Sequence, residues 1–321
     1  MSEDSISSDA AVRGGRDPLH PSTAQHTAAA GVAFAAIGAI AFSGKAIIVK
    51  LAYRYPVDAV TVIMYRMLFA LPLFVAMAWW AGRGKPRLTR RDWLGVVGLG
   101  FSGYYLSSML DFVGLQYITA SLERLILYLT PTVVMVLEWR LRGRRITPLH
   151  LLATVISYSG TLLVFGIELR GHGVALGGAT ALGAVLVLLS VASYALYLFY
   201  SGDFVRRLGS LRLTGLATTV ACLCCIGQFV LIHPLSAAQV APPVIWLSVL
   251  NAVGCTAVPV LLVMMGIERL GASLAAQIGM IGPLATIGMS IVLLGEPFTP
   301  WIAAGTVLVV AGIFLFSRAG R

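Results

Sequence analysis

The chain alternates between long apolar stretches and short polar breaks from about residue 29 onwards. Stretches such as Leu94–Leu110, Ala181–Tyr200 and Trp301–Phe316 contain almost no charge. A bilayer core about 30 Å thick requires roughly 20 helical residues, so each stretch has the length of a transmembrane helix. The pattern predicts an all-α polytopic membrane protein with ten transmembrane helices, at 29–52, 57–81, 93–116, 120–141, 148–167, 176–200, 212–233, 243–266, 272–294 and 299–317.

Residues 1–28 differ from the rest of the chain because they are polar and mixed in charge. This stretch predicts a disordered cytoplasmic tail. A signal peptide is not expected, because the apolar run that follows has the full length of a span and lacks a cleavage-type boundary.

Composition agrees with the pattern and removes several classes of function. The chain is 58% hydrophobic and 11% charged, with a mean hydropathy of +0.89, far from the balance of a soluble domain. Its net charge of +10 comes from basic loops, so nucleic-acid binding is not indicated. No phosphate-binding glycine loop or nucleophile–base set is recognisable, so an enzyme is not expected. The four cysteines lie in apolar stretches without histidine at metal-ligand spacing, so neither a metal nor a cofactor is expected.

An internal repeat divides the chain. The stretch "RLRGRRITP" at Arg140–Pro148 returns as "VLLGEPFTP" at Val292–Pro300. Further matches at the same offset are Ala120–Leu122 with Ala272–Leu274, Pro131 with Pro283 and Gly143 with Gly295. The prediction is therefore two repeats of five helices, at 29–167 and 176–318. Because five is odd, the second repeat enters the membrane from the opposite side and is inverted.

Loop charge gives the orientation independently. The tail, the loops after the even-numbered helices and the C-terminus carry 17 Lys and Arg, whereas the loops after the odd-numbered helices carry two. The positive-inside rule then predicts that both termini are cytoplasmic. It also explains why the repeated loop changes sign, since the basic copy faces the cytoplasm and the copy with Glu296 faces outwards. Arg outnumbers Lys 20 to 3, which indicates a GC-rich bacterial source and hence an inner membrane.

The second copy resembles the signature of the drug/metabolite transporter superfamily, EamA type. The resemblance covers roughly residues 30–318, and its marks are Pro283, Gly295–Glu296 and Gly312, with Pro131, Gly143 and Gly160 in the first copy. It implies two inverted five-helix repeats, a pathway surrounded by helices 1, 3, 4, 6, 8 and 9, and secondary transport of a small metabolite, often export. The chain departs from the family pattern at Arg144, where a Glu is usual. Members carry amino acids, nucleotide sugars, cations and drugs, so the resemblance does not choose a substrate.

Five ionisable residues are predicted between the midplane and the outer face of the membrane: Lys45, Arg66, Asp111, Glu123 and Arg124. Each costs about 2.5–3.5 kcal/mol at the bilayer centre, so these side chains are expected to pair or to face water. Asp111 and Arg124 flank a tight turn at similar depth, which predicts an ion pair between them. A structural pairing role and a substrate or gate role both remain open for this group.

Polar stripes at helical spacing complete the candidate site. They include Tyr104, Ser108 and Asp111 on the third helix, Tyr194 and Tyr197 on the sixth, and Asn251 on the eighth. The alternative is that small polar residues only hold membrane helices together. The residues predicted to bind substrate or to gate are Lys45, Arg66, Tyr104, Ser108, Asp111, Glu123, Arg124, Tyr128, Tyr194, Tyr197, Asn251 and Gln277. Kinks, either hinges or static bends, are predicted at Pro131, Pro259 and Pro283.

The sequence thus favours a secondary transporter in the bacterial inner membrane. Its expected partners are a small molecule and the lipid bilayer, and a homodimer is a further candidate. The charged group sums to +1, which favours a zwitterionic or anionic substrate, amino-acid-like. The alternatives are a flippase for a lipid-linked substrate, a cation or drug exporter of the same superfamily, and a channel or structural membrane protein.

Overall fold

The computed structural model describes residues 21–143, 146–171, 173–270, 278–279 and 281–319, and within these ranges all regular structure is helical. The helices are α1 (Pro21–Ala52), α2 (Ala59–Gly82), α3 (Arg90–Gly100, Phe101–Leu106 and Ser107–Gly114), α4 (Ala120–Leu127 and Thr130–Arg142), α5 (Pro148–Gly171), α6 (Gly173–Leu208), α7 (Ser210–Ile232), α8 (Pro242–Ala252, Val253–Ala257 and Val258–Leu270), α9 (Ile281–Met289 and Ser290–Leu294) and α10 (Pro300–Ala319). A short 3₁₀ turn, Leu235–Ala238, lies between α7 and α8.

Eight of these helices, α1 to α8, are long and apolar enough to cross a membrane. The prediction of an all-α polytopic membrane protein is therefore confirmed. In α9 and α10 the apolar helices found in the described residues are Leu284–Leu294 and Pro300–Gly312, which are shorter than a span. The count of ten spans remains a prediction.

Helix α1 begins earlier than the apolar pattern indicates. It starts at Pro21, inside the stretch from which a disordered tail is predicted. Proline is favoured in the first turn of a helix because its missing N–H would have no partner there. The alanines that follow have the highest helix propensity of any residue, so the helix does not need an apolar face to continue.

The repeated glycines Gly143 and Gly295 have the same structural role. Each follows the last residue of a helix, α4 and α9 respectively, with a left-handed backbone at φ 66° and φ 72°. Glycine adopts this conformation without the steric cost that a Cβ would bring. The repeat thus preserves the way in which these two helices end, while the residues after the glycines carry different charges.

Several helices are interrupted near the centre of the molecule. A π-helical segment, Phe101–Leu106, lies inside α3, and another, Val253–Ala257, precedes Pro259 in α8. Helix α4 breaks at Tyr128 and Leu129, just before Pro131. Such segments leave backbone groups outside the regular ladder and are frequent at functional sites.

The largest helix contacts are symmetric between the two repeats: replacing each helix by its equivalent in the other repeat gives the same set of contacts. Helix α2 packs on α7, α5 on α10 and α4 on α9, so equivalent helices pair with each other. Helix α1 packs on α8 and α3 on α6, and exchanging the halves converts one of these pairs into the other. This pattern brings α1, α3, α6 and α8 to the centre and leaves α5 and α10 at one edge.

The contact between α5 and α10 depends on two glycines. A Cβ placed on Gly160 would overlap the carbonyl oxygen of Gly305, and a Cβ on Gly305 would overlap that of Gly160. We expect Gly160→Leu to destabilise the protein by about 1–3 kcal/mol, the usual cost of overpacking. The measurement is thermal unfolding of the purified protein in detergent. Gly166→Leu on the same helix is the control, because no atom lies near a Cβ there; equal melting temperatures for both variants would contradict the expectation.

Candidate functional site

A cavity of about 530 Å³ lies between α1, α2, α3 and α4 on one side and α6, α7 and α8 on the other. Its lining combines three cationic side chains and one carboxylate with tyrosines and hydroxyl groups. The polar and aromatic lining residues include Lys45, Arg66, Tyr104, Ser107, Ser108, Asp111, Arg124, Tyr128, Ser190, Tyr194, Tyr197, Thr214, Thr218 and Thr256.

The two ends of the cavity differ. At one end it extends to Val205 and Ser210, at the turn between α6 and α7, where Val205 is exposed. From there to Ser190 the lining follows α6 over 15 residues, roughly 22 Å at 1.5 Å per residue. The lining at the opposite end consists of buried charged residues, with Asp111 only 2% exposed. We call these the α6–α7 end and the closed end.

A group of charged side chains forms the closed end. Lys45 Nζ lies 2.5 Å from Asp111 Oδ2 and 3.7 Å from Glu123 Oε1. Glu123 is fully buried behind the cavity lining. Arg124 donates a hydrogen bond to the Ser43 carbonyl at 3.3 Å. One lysine therefore approaches two carboxylates.

The predicted ion pair between Asp111 and Arg124 is not formed, because Lys45 takes the place expected for Arg124. The sequence places the two residues at similar depth but does not show which way each helix face points. Lys45 on α1 contacts Asp111 on α3 and approaches Glu123 on α4, against which α1 packs.

Arg66 is a further cation in the cavity wall, and it lies apart from this group. It is 5% exposed, its Nε donates to Thr256 Oγ1 at 3.1 Å, and its guanidinium lies 5.2 Å from the ring centre of Phe112. Its Nη1 has no hydrogen-bond partner. Among the described residues, no carboxylate lies within ion-pair distance of Arg66. A buried guanidinium with an unused donor fits an anionic group in the cavity.

Tyrosines and serines cover the cavity wall between the two ends. The hydroxyls of Tyr104 and Tyr197 are 3.3 Å apart, with their rings edge to face, and Tyr194 stacks on Tyr197. Ser107 and Ser190 hydrogen-bond between α3 and α6 at 3.0 Å. These rings and hydroxyls suit a small molecule that has both a polar and an apolar part.

A layer of hydrogen bonds lies beyond the closed end. Glu296, in the loop after α9, accepts from the Ala120 backbone N–H at 2.9 Å and from the Ser121 hydroxyl at 2.7 Å. Ser121 also lies 3.0 Å from Ser290 on α9. Tyr53 donates to the Phe112 carbonyl at 2.7 Å, which joins the end of α1 to α3. Glu296 therefore holds the start of α4 against the end of α9.

Two predicted site residues, Asn251 and Gln277, lie outside the cavity lining or outside the described residues. Asn251 is buried in α8 outside the cavity lining, and its backbone carbonyl accepts a hydrogen bond from the Thr256 hydroxyl. Gln277 lies outside the described residues. Pro259 lines the cavity just after the π-helical segment of α8, whereas for Pro131 and Pro283 only the backbone is described. The other predicted residues lie in the cavity wall or, for Glu123, directly behind it.

The sequence interpretation missed part of the wall. Thr214 and Thr218 on α7, and Thr256 on α8, line the cavity although none was predicted. The signal was present on α7, because residues four apart share a helical face. Glu296 was also missed, since it was considered only as part of a repeated motif. Among the described residues, no group of His, Cys, Asp and Glu is arranged to hold a metal ion.

Comparison with known proteins gives a consistent result. The model of the EamA-like transporter family matches the chain twice, over residues 29–166 and 181–318. The uncharacterized transporter YcbK of Bacillus subtilis (strain 168) is 34% identical over 281 residues, which are 84% of this chain and 86% of that protein. The uncharacterized transporter YetK of the same organism is 25% identical over 253 residues, 78% of this chain and 76% of that protein.

A solved crystal structure shares the fold. It aligns with 91% of this chain and 97% of its own with a TM-score of 0.61, at 17% sequence identity. At that identity the likeness concerns the arrangement of the helices only.

Proposed function

Because this chain belongs to the EamA-like transporter family, we propose that it is a secondary transporter that exports a small zwitterionic or anionic metabolite, amino-acid-like, by alternating access. The observation that carries the proposal is the cavity that reaches the surface at the α6–α7 end and finishes on buried charges at the closed end. A pathway accessible from one side at a time is what alternating access requires.

Arg66 supports the choice of substrate. The buried group of Lys45, Arg66 and Arg124 against Asp111 and Glu123 has a formal surplus of one positive charge. Arg66 lines the cavity with no described carboxylate at ion-pair distance, and its Nη1 has no hydrogen-bond partner. A substrate carboxylate at this point would accept a charge-assisted hydrogen bond and offset the cost of burying the cation.

The charge of the loops indicates which side of the membrane the α6–α7 end faces. Arg206 and Arg207 directly precede the turn at the α6–α7 end. Arg207 pairs with Asp92 at 2.7 Å, which places the segment with Arg90 and Arg91 at the same end. By the positive-inside rule this end faces the cytoplasm. The conformation described here is then open to the cytoplasm and closed to the outside, the state in which an exporter takes up its substrate.

The same reasoning gives a proposed topology in the bacterial inner membrane. It has ten spans, with both termini cytoplasmic and the repeat at 176–318 inverted relative to the repeat at 29–167. A reporter fused after residue 318 is expected to give a cytoplasmic signal, and one inserted between Pro234 and Pro243 an external signal. Reporter activity in intact cells measures both positions. Placement of the two on one side of the membrane would rule out the inverted arrangement.

The proposed activity is tested by counterflow into proteoliposomes that contain the purified full chain. The panel consists of radiolabelled zwitterionic amino acids, organic acids and organic cations, each measured against liposomes loaded with the unlabelled compound. We expect saturable and stereospecific counterflow for at least one zwitterion or acid. Non-saturable flux would indicate a channel, and preference for an organic cation would contradict the substrate class. Movement of a lipid probe between leaflets would instead indicate a flippase.

A further inference from the structure

We propose that Asp111 and Glu123, beside Lys45, bind one transported proton, and that this proton competes with the ammonium group of a zwitterionic substrate. The proton site stands on the geometry of the closed end. Its use for coupling rests on the proposed transport function, and it makes the protein a proton/substrate antiporter.

The first observation is that two carboxylates share one ammonium group. Lys45 lies 2.5 Å from Asp111 and 3.7 Å from Glu123, so it approaches both carboxylates but donates a hydrogen bond only to Asp111. Glu123 is 0% exposed, and neither of its carboxylate oxygens receives a hydrogen bond. A buried carboxylate without donors is costly when ionised, and a proton removes that cost.

The second observation is that Asp111 has a free acceptor. Its Oδ2 atom accepts from Lys45, whereas its Oδ1 atom is buried and has no partner. Asp111 lines the cavity, and Glu123 lies behind it. A proton that enters through the cavity can therefore pass by way of Asp111 to Glu123.

Among the described residues around Glu123, there is no other candidate for this role. The titratable and charged groups near it are Lys45 from α1, Asp111 from α3, and Arg124 and Tyr128 from α4. Helices α5, α6, α9 and α10 also pack against α4, and their described parts bring no charged side chain to Glu123. Glu296, in the loop after α9, is already bound by the Ala120 N–H and the Ser121 hydroxyl.

Competition follows because the proton and the substrate ammonium group would use the same free acceptor, Asp111 Oδ1. When Glu123 is protonated it is neutral, and its new O–H can donate to Asp111 Oδ1. When a zwitterionic substrate places its carboxylate at Arg66, its ammonium group can donate to the same Oδ1 atom. Glu123 then loses its proton to the cavity water and pairs with Lys45. Arg66 and Lys45 lie over the same Phe112 ring, which keeps the two ends of the substrate site close together.

The test of the proton site needs no substrate. Infrared difference spectra of the purified full chain in lipid, between neutral and alkaline pH, are expected to show a protonated carboxylic acid band that is lost as the pH rises, because exposed carboxylates are already ionised at neutral pH. Labelling the glutamate carboxyl carbons with ¹³C should shift this band, and Glu123→Gln should remove it. Glu138→Gln, the same change further along α4, is the control and should retain it. Because Glu123→Gln could impair folding, the isotope shift in the unmodified protein provides a second measurement. A band insensitive to both the label and the substitution overturns the proposal.

The test of coupling uses counterflow of the radiolabelled zwitterionic amino acids. In the wild type, a pH gradient is expected to drive accumulation of the transported amino acid. In Glu123→Gln, the remaining counterflow should no longer respond to the gradient, whatever its rate. Wild-type counterflow that ignores the gradient overturns the coupling. Absence of all counterflow would instead count against the proposed transport function, and the infrared result would still decide the proton site.

Discussion

Replacing Arg66 with glutamine is expected to abolish substrate flux while the protein remains inserted and folded. The guanidinium lines the cavity with a free Nη1, and no described carboxylate neutralises it. Glutamine keeps a polar side chain near Thr256 but removes the charge that would bind a substrate carboxylate. Hydrogen bonds to charged groups contribute about 1.5–3 kcal/mol, so we expect flux to fall by at least about tenfold. Initial rates of counterflow in proteoliposomes measure the effect.

Two further variants make the result specific. Arg66→Lys keeps the charge but loses the planar fork of donors, so it is expected to retain a small part of the flux. Arg212→Gln is matched for burial, because Arg212 is 8% exposed and donates to the Pro86 carbonyl, but it lies outside the cavity lining. Flux through Arg212→Gln should therefore exceed that through Arg66→Gln when equal amounts of folded protein are compared. Undiminished flux in Arg66→Gln would show that Arg66 does not bind the substrate.

The positions of the membrane helices follow closely from the sequence. The predicted helix at 120–141 corresponds to α4, which runs from Ala120 to Arg142 and is closed by Gly143. The reason is physical, since membrane thickness sets the length of an apolar run and glycine or a polar loop ends it. The same rule does not apply outside the apolar runs. It therefore missed the start of α1 at Pro21, where helix propensity decides.

The composition of the charged group could be predicted, but its pairing could not. The cost of an isolated charge in the membrane predicts that Lys45, Asp111, Glu123 and Arg124 find partners or water. Which partner each one finds depends on the rotation of every helix about its axis and on which helices are neighbours. Those quantities come from tertiary packing, which places Lys45 rather than Arg124 against Asp111.

The walls of the cavity show a similar limit. Tyrosine and serine stripes predicted the faces of α3 and α6 because several polar residues recur at helical spacing. Helix α7 contributes only Ser210, Thr214 and Thr218, a pattern that also occurs where small residues pack helices together. The role of Glu296 could not be predicted because its partners, Ala120 and Ser121, are distant in sequence and belong to the other repeat.

Joining α4 to α9 at the closed end is expected to stop transport completely. The hydroxyl oxygens of Ser121 and Ser290 are 3.0 Å apart, so Ser121→Cys together with Ser290→Cys places two thiols within reach of a disulfide. Alternating access requires the closed end to open, and this opening must separate the start of α4 from the end of α9, which Glu296 now holds together. An oxidised cross-link would prevent that step, and counterflow should return when the disulfide is reduced.

The cross-linked protein should still take up substrate from the α6–α7 end, because that part of the cavity is not altered. Binding of the transported amino acid to the oxidised double variant, measured in detergent, is therefore expected to persist while counterflow is lost. Each single variant, oxidised in the same way, controls for the four native cysteines. Full counterflow in a sample shown to be cross-linked would mean that α4 and α9 do not separate at this point. In that case the hydrogen bonds of Glu296 would be a permanent part of the fold, and the outer gate would lie between other helices.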